Sequence, residues 1–348
     1  MKKINLIQDI PTIHNNKIIC KIAEQFQVKE YYALFYDKER YNHEKPINNV
    51  DSIEYGNKLN LKFIYDVLIN RDITILVGVM NINTKVIFLL SFICFKKIIY
   101  WTDLPKPKES FFGKLKRSIT IYVLKLSNFT IWAVGNITED YFIKYGVAKE
   151  RIKNVPILVD CYQHPEHKIK TSKDKILIFS GSRLIHEKGF DILINAISLL
   201  PKNIKDRIKV IISGDGEEFQ NLNNLIHQNN LIKVVQLTGW LDEKTFLKYL
   251  KNSDIVIQPS RYDAFGLSIY GMANCAAVIA SNKSGAALER ITNKKNGFIY
   301  KYDDVNKLCA IISHLVDNDA IRIEAAKLGH KTAKKWTPDY ILEVLEND

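Results

Sequence analysis

The sequence predicts an α/β fold made of two doubly wound, Rossmann-like domains in tandem. Three observations carry that expectation. Strand-like runs alternate with helical patterns from one end to the other, as parallel βαβ units require. The 348 residues exceed one ordinary domain, and 47% hydrophobic content is enough for two cores. Two glycine-bearing segments about eighty residues apart, 181–189 and 259–267, each close a strand and open a helix. Such segments fall at the same carboxyl edge of one parallel sheet, where ligands bind in open α/β folds.

In the first half, strands are expected at residues 4–7, 31–36, 73–79, 97–101 and 129–134. The run 86–95 is the most apolar of the chain, about half a membrane span, and reads as a buried helix. Before the last strand, Phe111, Leu115, Ile119, Val123 and Leu126 recur at near-helical spacing, with Lys114, Lys116 and Arg117 interrupting the stripe. Residues 155–174 contain Pro156 and Pro165, lack clear periodicity, and read as the connection between domains.

The second half repeats the alternation more clearly. Strands are expected at 176–179, 208–213, 234–237, 255–258, 278–280 and 297–300, and helices at 190–200, 217–228, 242–251, 267–274, 287–291, 303–316 and 320–334. Trp336-Thr337-Pro338 opens a last short helix, with Thr337 as N-cap and Pro338 at the first helical position. The expected domains are 1–158, 159–335 and a terminal helix at 336–348.

Charge and cysteines narrow the class. The net charge is +12, and Lys and Arg outnumber Asp and Glu by eight within residues 1–160. Eight cations lie between Lys96 and Lys125, against Asp103 and Glu109. Such a stretch attracts anions, whether phosphates, acidic lipid or nucleic acid, or is simply a solvated lysine-rich surface. Nucleic acid is disfavoured, since no recognisable module or interleaved aromatic platform accompanies it. The five scattered cysteines are expected to be reduced thiols of a cytosolic protein, and no secretory leader is read at the start. No Gly-x-Gly-x-x-Gly follows the first strand, which disfavours a dinucleotide-dependent dehydrogenase.

The motifs of the second half occur in a specific order. They are Gly181-x-Arg183-Leu184 with Lys188-Gly189, Gly214-Asp215-Gly216, Leu237-Thr238-Gly239-Trp240, Pro259-Ser260 with Asp263-x-Phe265-Gly266, and Val278-Ile279-Ala280-Ser281. Taken together they resemble the retaining glycosyltransferases of the GT-B fold, in the large group that builds bacterial surface polysaccharides. The first half resembles that family more loosely, through Pro11 to Asn16, Tyr100 to Asp103 and Arg151 to Pro156.

The resemblance implies two domains facing a central cleft, with the final helix crossing back onto the first. It implies a UDP- or GDP-sugar donor bound by the second domain and a glycan or lipid-linked acceptor at the first. Two cations in the pocket remove the need for a metal, no Asp-x-Asp metal signature is read in either half, and no metal is expected. Arg183 and Lys188 would meet the charge that grows on the departing diphosphate; such fixed cations stabilise the transition state more than the ground state. Asp263 occupies the family's first acidic position, usually Glu, and would contact the donor sugar, or else cap a helix. Gly181, Ala264, Phe265 and Gly266 would border the donor, with the turn presenting backbone N–H groups at a helix start. Gly239, Trp240 and Leu241 would border the base, although a Trp after a strand also packs. Ser284, Gly285 and Ala286 are weaker candidates for lining the sugar pocket.

In the first domain, His14 is expected in the loop after the first strand, beside Asn15, facing the cleft or serving a structural role. Asp103 would touch the acceptor or cap a turn. The sequence departs from the family at its second Glu: counting eight positions from Asp263 gives Gly271, and a one-residue deletion gives Tyr270. A Tyr offers one hydrogen bond to a ribose hydroxyl in place of a bidentate pair. Cys275 replaces a usual Gly, and Ala277 a usual Pro. Two readings follow: a metal-independent retaining enzyme in cell-surface polysaccharide biosynthesis (lipopolysaccharide or capsule), or a catalytically impaired GT-B protein that acts as a binding or partner subunit. A GT-B sugar epimerase fits the motif order less well. The expected location is cytoplasmic, peripheral at the inner face of the membrane, with the stretch from Lys96 to Lys125 and the pair Phe111-Phe112 meeting anionic lipid.

Overall fold

The computed structural model describes residues 2–8, 13–32, 50–55, 58–69, 72–78, 81–104, 111–161, 175–263 and 265–346, without the side chains of Ile13 and His14. The chain forms two compact units, Met1–Leu158 with Pro338–Asp348, and Val159–Thr337.

The first unit holds a seven-stranded, all-parallel sheet. Its strands are β1 (Lys3–Gln8), β2 (Gln27–Tyr32), β3 (Asp51–Glu54), β4 (Ile73–Val77), β5 (Ile98–Thr102), β6 (Thr130–Ala133) and β7 (Ile152–Asn154), in the spatial order β3-β2-β1-β4-β5-β6-β7. Its helices are α1 (Ile13–Ala23), α2 (Leu61–Ile69), α3 (Ile82–Ile93), α4 (Phe111–Leu126), α5 (Asn136–Lys144) and the C-terminal helix Tyr340–Glu346. Register fixes which side chains share a face. Ile7 pairs with Tyr31 and with Leu76, Leu76 with Tyr100, and Tyr100 with Ile131. This row forms one core with Phe63 of α2, Phe88 of α3, Leu124 of α4 and Phe142 of α5. Each such fully buried side chain contributes roughly 1.5–3 kcal/mol. On α1, Lys21 Nζ lies 2.7 Å from Asp339 Oδ1, just ahead of the C-terminal helix.

Three expectations for this unit need correction. Strand β2 spans Gln27–Tyr32 rather than 31–36, of which 33–36 lie outside the described residues. Its buried Glu30 breaks the apolar alternation that marks a strand. β3 and β7 were not expected, because they are short and largely polar edge strands. The run 86–95 forms a helix through Ile93 but is not buried throughout: Ile87, Phe88 and Ser91 face the core, whereas Leu89, Ile93 and Phe95 are exposed. One helical face is all the sheet can cover.

The second unit has six parallel strands, β8 (Ile176–Gly181), β9 (Ile208–Ser213), β10 (Val235–Leu237), β11 (Ile255–Gln258), β12 (Ala277–Ser281) and β13 (Phe298–Tyr300), ordered β10-β9-β8-β11-β12-β13. The connecting helices are α6 (Phe190–Leu199), α7 (Lys202–Lys205), α8 (Phe219–Gln228), α9 (Glu243–Asn252), α10 (Ser268–Ala273), α11 (Gly285–Arg290), α12 (Val305–Asp317) and α13 (Asp319–Ala333). The strands are near-continuous apolar runs because helices cover both faces. Strand order reverses between β8 and β11, and that reversal is the topological switch point of the sheet. At the ends of this unit, Val159 N–H donates to Trp336 O at 3.2 Å. The last helix begins at Tyr340, two residues after Pro338, so Thr337 is not its N-cap.

Helix α10 ends in a Schellman motif. Ala276 N–H bonds Gly271 O at 2.9 Å, and Cys275 N–H bonds Met272 O at 3.1 Å. Cys275 is the left-handed residue of that motif, with φ +58°. A side chain costs about 1–2 kcal/mol in that conformation, where glycine is unstrained. Cys275→Gly is therefore expected to stabilise the protein by about 1 kcal/mol, raising Tm by about 2–4 °C in thermal denaturation. A lower Tm contradicts this account of the turn.

Candidate functional site

The loops that follow β8 and β11 meet at the switch point, and polar contacts clamp them together. After Gly181 the chain runs through one 3-10 turn, His186–Lys188, to Gly189, which is left-handed (φ +66°). A Cβ at Gly189 would lie 2.3 Å from Pro259 O, so only glycine lets the loops approach this closely. Arg261 and Tyr262 both donate their N–H to Glu187 O, at 2.8 and 3.2 Å. The Arg261 guanidinium donates to His186 O at 3.0 Å and grips Asp191 through two parallel bonds of 2.8 and 2.7 Å. Its Nε lies 3.1 Å from Asp303 Oδ1. Burial alone would raise the Asp191 carboxyl, but the bonds and charge of Arg261 outweigh it and hold that carboxyl below its usual range.

The clamp sets Lys188 against Asp263, with Nζ 2.7 Å from Oδ2. Both side chains are largely buried, at 13% and 14% exposure, so the pair is only weakly screened by solvent. Lys188 and Asp263 line one shallow pocket with Gly181, Ser182, Gln258 and Ser260. The result is a small recess, with Phe190, Ile257, Pro259 and Leu267 also in its wall, that holds one cation and one anion.

The turn that carries Asp263 is braced from beneath. Gln258, buried at the end of β11, donates to Phe265 O at 3.3 Å and accepts from Ser268 N–H at 2.9 Å. Gly266 has φ +94°, and a Cβ there would fall 1.6 Å from Gln258 Nε2. Asp263 N–H bonds Lys283 O at 3.0 Å, and Gly285 N–H bonds Asp263 O at 2.9 Å, which ties the turn to the loop after β12. The buried Arg290 guanidinium lies over the Phe265 ring (5.1 Å) and over the Trp336 ring (4.9 Å). Burial lowers the Arg290 pKa to about 10.

Two expectations for the turn change. Asp263 is not the N-cap of α10, which starts five residues later at Ser268. The first helical amide is also not available to a ligand, because Gln258 Oε1 takes it.

The remaining predicted residues are placed as follows. Arg183 is exposed on the β8 loop, outside the recess lining, and makes no ion pair among the described residues. Gly239, Trp240 and Leu241 follow β10 at the same edge; Gly239 is left-handed (φ +72°), Trp240 is 58% exposed and Leu241 half-buried. Ala264 lies outside the described residues. Tyr270 lies in α10, where burial pushes its phenol pKa upward, and Gly271 packs directly against Val256 and Val278. Ser284, Gly285 and Ala286 are buried, and Ser284 bridges Asp263.

In the first unit, His14 falls in the first turn of α1 rather than in a loop, and its side chain is outside the described set; the β1–α1 loop at 9–12 is outside it too. Asn15 donates to Gln8 Oε1 at 2.7 Å. Gln8 donates in turn to the buried Glu30 at 2.6 Å, which also accepts from Ser52 at 2.6 Å. Asp103 is exposed just past β5. Contrary to the expectation of no Asp-x-Asp, one such triplet, Asp317-Asn318-Asp319, sits at the α12–α13 junction, where Asp317 pairs with Arg207 (2.7 Å) and Asp319 with Arg322 (2.8 Å). Sequence reasoning missed Gln258, Arg261 and Asp191 as site-building residues. The available signal was a lone glutamine ending an apolar strand and an arginine inside the second motif.

Residues 163–336 match the sequence profile of the family described as "Glycosyl transferases group 1". Over 214 residues the chain is 25% identical to an uncharacterised 41.2 kDa protein of the cps region of Klebsiella pneumoniae, covering 58% of this chain and 57% of that protein. It is 28% identical over 196 residues to the poly(ribitol-phosphate) alpha-N-acetylglucosaminyltransferase of Staphylococcus aureus, covering 56% of this chain and 38% of that enzyme. The matches thus span roughly two fifths to three fifths of these relatives' lengths. Among solved structures, Anabaena HepE in complex with UDP superposes with a TM-score of 0.79 at 20% identity, with 100% of both chains covered. The same protein in complex with UDP-glucose gives 0.76 at 18%. This likeness identifies the fold as that of GT-B glycosyltransferases.

The Arg261–Asp191 bond carries a pH signature. Asp191 titrates lower in the folded protein than in the unfolded chain, so its stabilising contribution is full above about pH 4 and is lost as pH falls through the lowered folded value. Arg261→Ala is expected to remove that contribution. In urea melts between pH 3 and 7, the gap between wild type and variant should narrow toward the acid end; a gap independent of pH contradicts the clamp.

Proposed function

Because this chain belongs to the glycosyl transferases group 1 family, we propose that it moves a sugar from a nucleotide-sugar donor to a glycan or lipid-linked acceptor with retention of configuration. The observation that carries this reading is the Lys188–Asp263 pair, 2.7 Å apart at the switch point of the second unit. The bond to break joins the anomeric carbon to a phosphate oxygen, and its electron pair leaves with the phosphate. Lys188, held at the pocket wall, stabilises that growing charge, and Arg183 reaches it from the exposed loop on a long, unanchored side chain. Two cations serve where a metal otherwise would. Asp263 anchors the Lys188 ammonium and accepts a hydrogen bond from a donor-sugar hydroxyl. The acceptor hydroxyl attacks from the face the phosphate leaves, and its proton goes to that phosphate oxygen.

HepE in complex with UDP and with UDP-glucose supports a uridine nucleotide as the first donor to try. The poly(ribitol-phosphate)-modifying relative and the protein of a cps region support a role in polysaccharide assembly. We place the protein in the cytoplasm, peripheral at the inner membrane face; no described helix is long and apolar enough to cross a membrane.

The second reading, a partner or binding subunit, is favoured by one observation: Tyr270 and Gly271 stand where the family resemblance expects a carboxylate. A transfer and hydrolysis assay with UDP-, GDP- and ADP-sugars separates the two. The enzyme reading expects turnover of at least one donor, unaffected by EDTA, with the anomeric configuration retained in the product by NMR. Lys188→Ala, checked for unchanged folding, is expected to lower kcat/KM by about a hundred- to a thousandfold. No turnover of any donor by the wild type, or equal turnover by Lys188→Ala, supports the partner reading instead.

A further inference from the structure

The first unit carries an unusual outer surface. Helices α2, α3 and α4 all pack onto one face of the sheet, because their buried residues meet the single row Ile7, Tyr31, Leu76, Tyr100 and Ile131. Their opposite sides therefore form one outer layer. Along α4, Phe111, Phe112, Leu115, Ile119, Tyr122 and Leu126 are exposed, and only Val123 and Leu124 are buried. Phe112 is 80% exposed. The end of α3 continues this character with Leu89, Ile93 and Phe95, the last 82% exposed, and α2 adds Leu61, Tyr65 and Ile69. The α3–β5 turn lies next to the end of α4, since Asn128 Nδ2 bonds Phe95 O at 3.4 Å.

The charges on α3 and α4 have one sign, whereas α2 carries Asp66, whose Oδ2 lies 3.3 Å from Lys29 Nζ. Neither α3 nor α4 contains an Asp or Glu, while Lys96, Lys97, Lys114, Lys116 and Lys125 are exposed along it. A water-facing helix of the second unit looks different: α13 mixes Asp319 and Glu324 with Lys327 and Lys331. Exposed large apolar side chains of that unit, such as Leu199, Ile232 and Leu288, lie on separate elements.

An apolar face bordered by lysines, with Asp66 of α2 already engaged by Lys29 and no acid on α3 or α4, matches one kind of partner by charge and by chemistry. We infer that the α2–α4 layer is a docking surface for an anionic phospholipid bilayer, with Phe95, Phe111 and Phe112 entering the headgroup boundary and the lysines meeting lipid phosphates. Interfacial helices of this kind sit about 5–10 Å into that boundary. The inference specifies the peripheral location proposed above and is independent of the donor chemistry.

The test uses the full chain in flotation with vesicles of phosphatidylcholine alone or with phosphatidylglycerol. Flotation is expected only with phosphatidylglycerol, weakening with salt. Phe111→Ser with Phe112→Ser, and separately Lys96→Glu, Lys114→Glu and Lys125→Glu together, are expected to abolish it, at about fivefold or more per reversed charge. Both variants should keep the wild-type thermal melt and the wild-type thermal shift with donor, so that failure of the surface is told apart from failure of the donor site. Three results overturn the inference: no flotation with either vesicle, equal flotation with both, or lipid-free self-association that the Phe variant abolishes, which assigns the face to a second copy of the chain.

Discussion

The candidate site depends on one constraint, the closing of the β8 and β11 loops onto each other at the switch point. Parallel strands bring both loops to the same edge, but adjacency alone leaves side chains free to point anywhere. Here Arg261 spans the gap, with two bonds to Asp191 and one to His186 O. Bidentate geometry fixes direction as well as distance. Gly189, with no side chain to keep Pro259 away, makes the closure possible. A lysine and an aspartate 75 positions apart in sequence thereby become an ion pair at 2.7 Å. A largely buried pair costs several kcal/mol of desolvation per ion, so its presence is poorly explained as a device for stability alone. In the proposed function it is the pair that meets the charge of the donor's phosphate.

A second constraint acts below the turn. Gln258 serves both Phe265 O and Ser268 N–H, and Gly266 leaves room for it. Arg290 then supports Phe265 through the guanidinium that lies over its ring. The carboxylate of Asp263 is thus positioned by strand, turn and loop together, as a preorganised electrostatic site requires.

The second unit was readable in the sequence because covered parallel strands are short, near-continuous apolar runs. Residues 255–257 are such a run, and the expected span there ends at Gln258 as observed. The first unit was less readable. Glu30 is a carboxylate inside a strand, satisfied by Gln8 and Ser52 in a way that no periodicity announces. The apolar run ending at Phe95 read as core, although Leu89, Ile93, Cys94 and Phe95 are exposed. Apolar character alone says that a residue avoids water, without saying what replaces the water. At the site, Lys188 and Asp263 stood out through motif spacing. Arg261 and Asp191 did not act as a pair on paper, since a contact across 70 positions leaves no local pattern. The missing second carboxylate was legible, and the Schellman turn with Cys275 at its left-handed position lies just downstream of it.

The hydrogen bond between Val159 N–H and Trp336 O has a consequence for the architecture as a whole. The second unit is one unbroken stretch, and its first and penultimate residues touch. A module whose two ends coincide can be cut out, spliced into another host or circularly permuted without stretching its fold. The part of the protein that holds the charged recess is in this sense a portable insert.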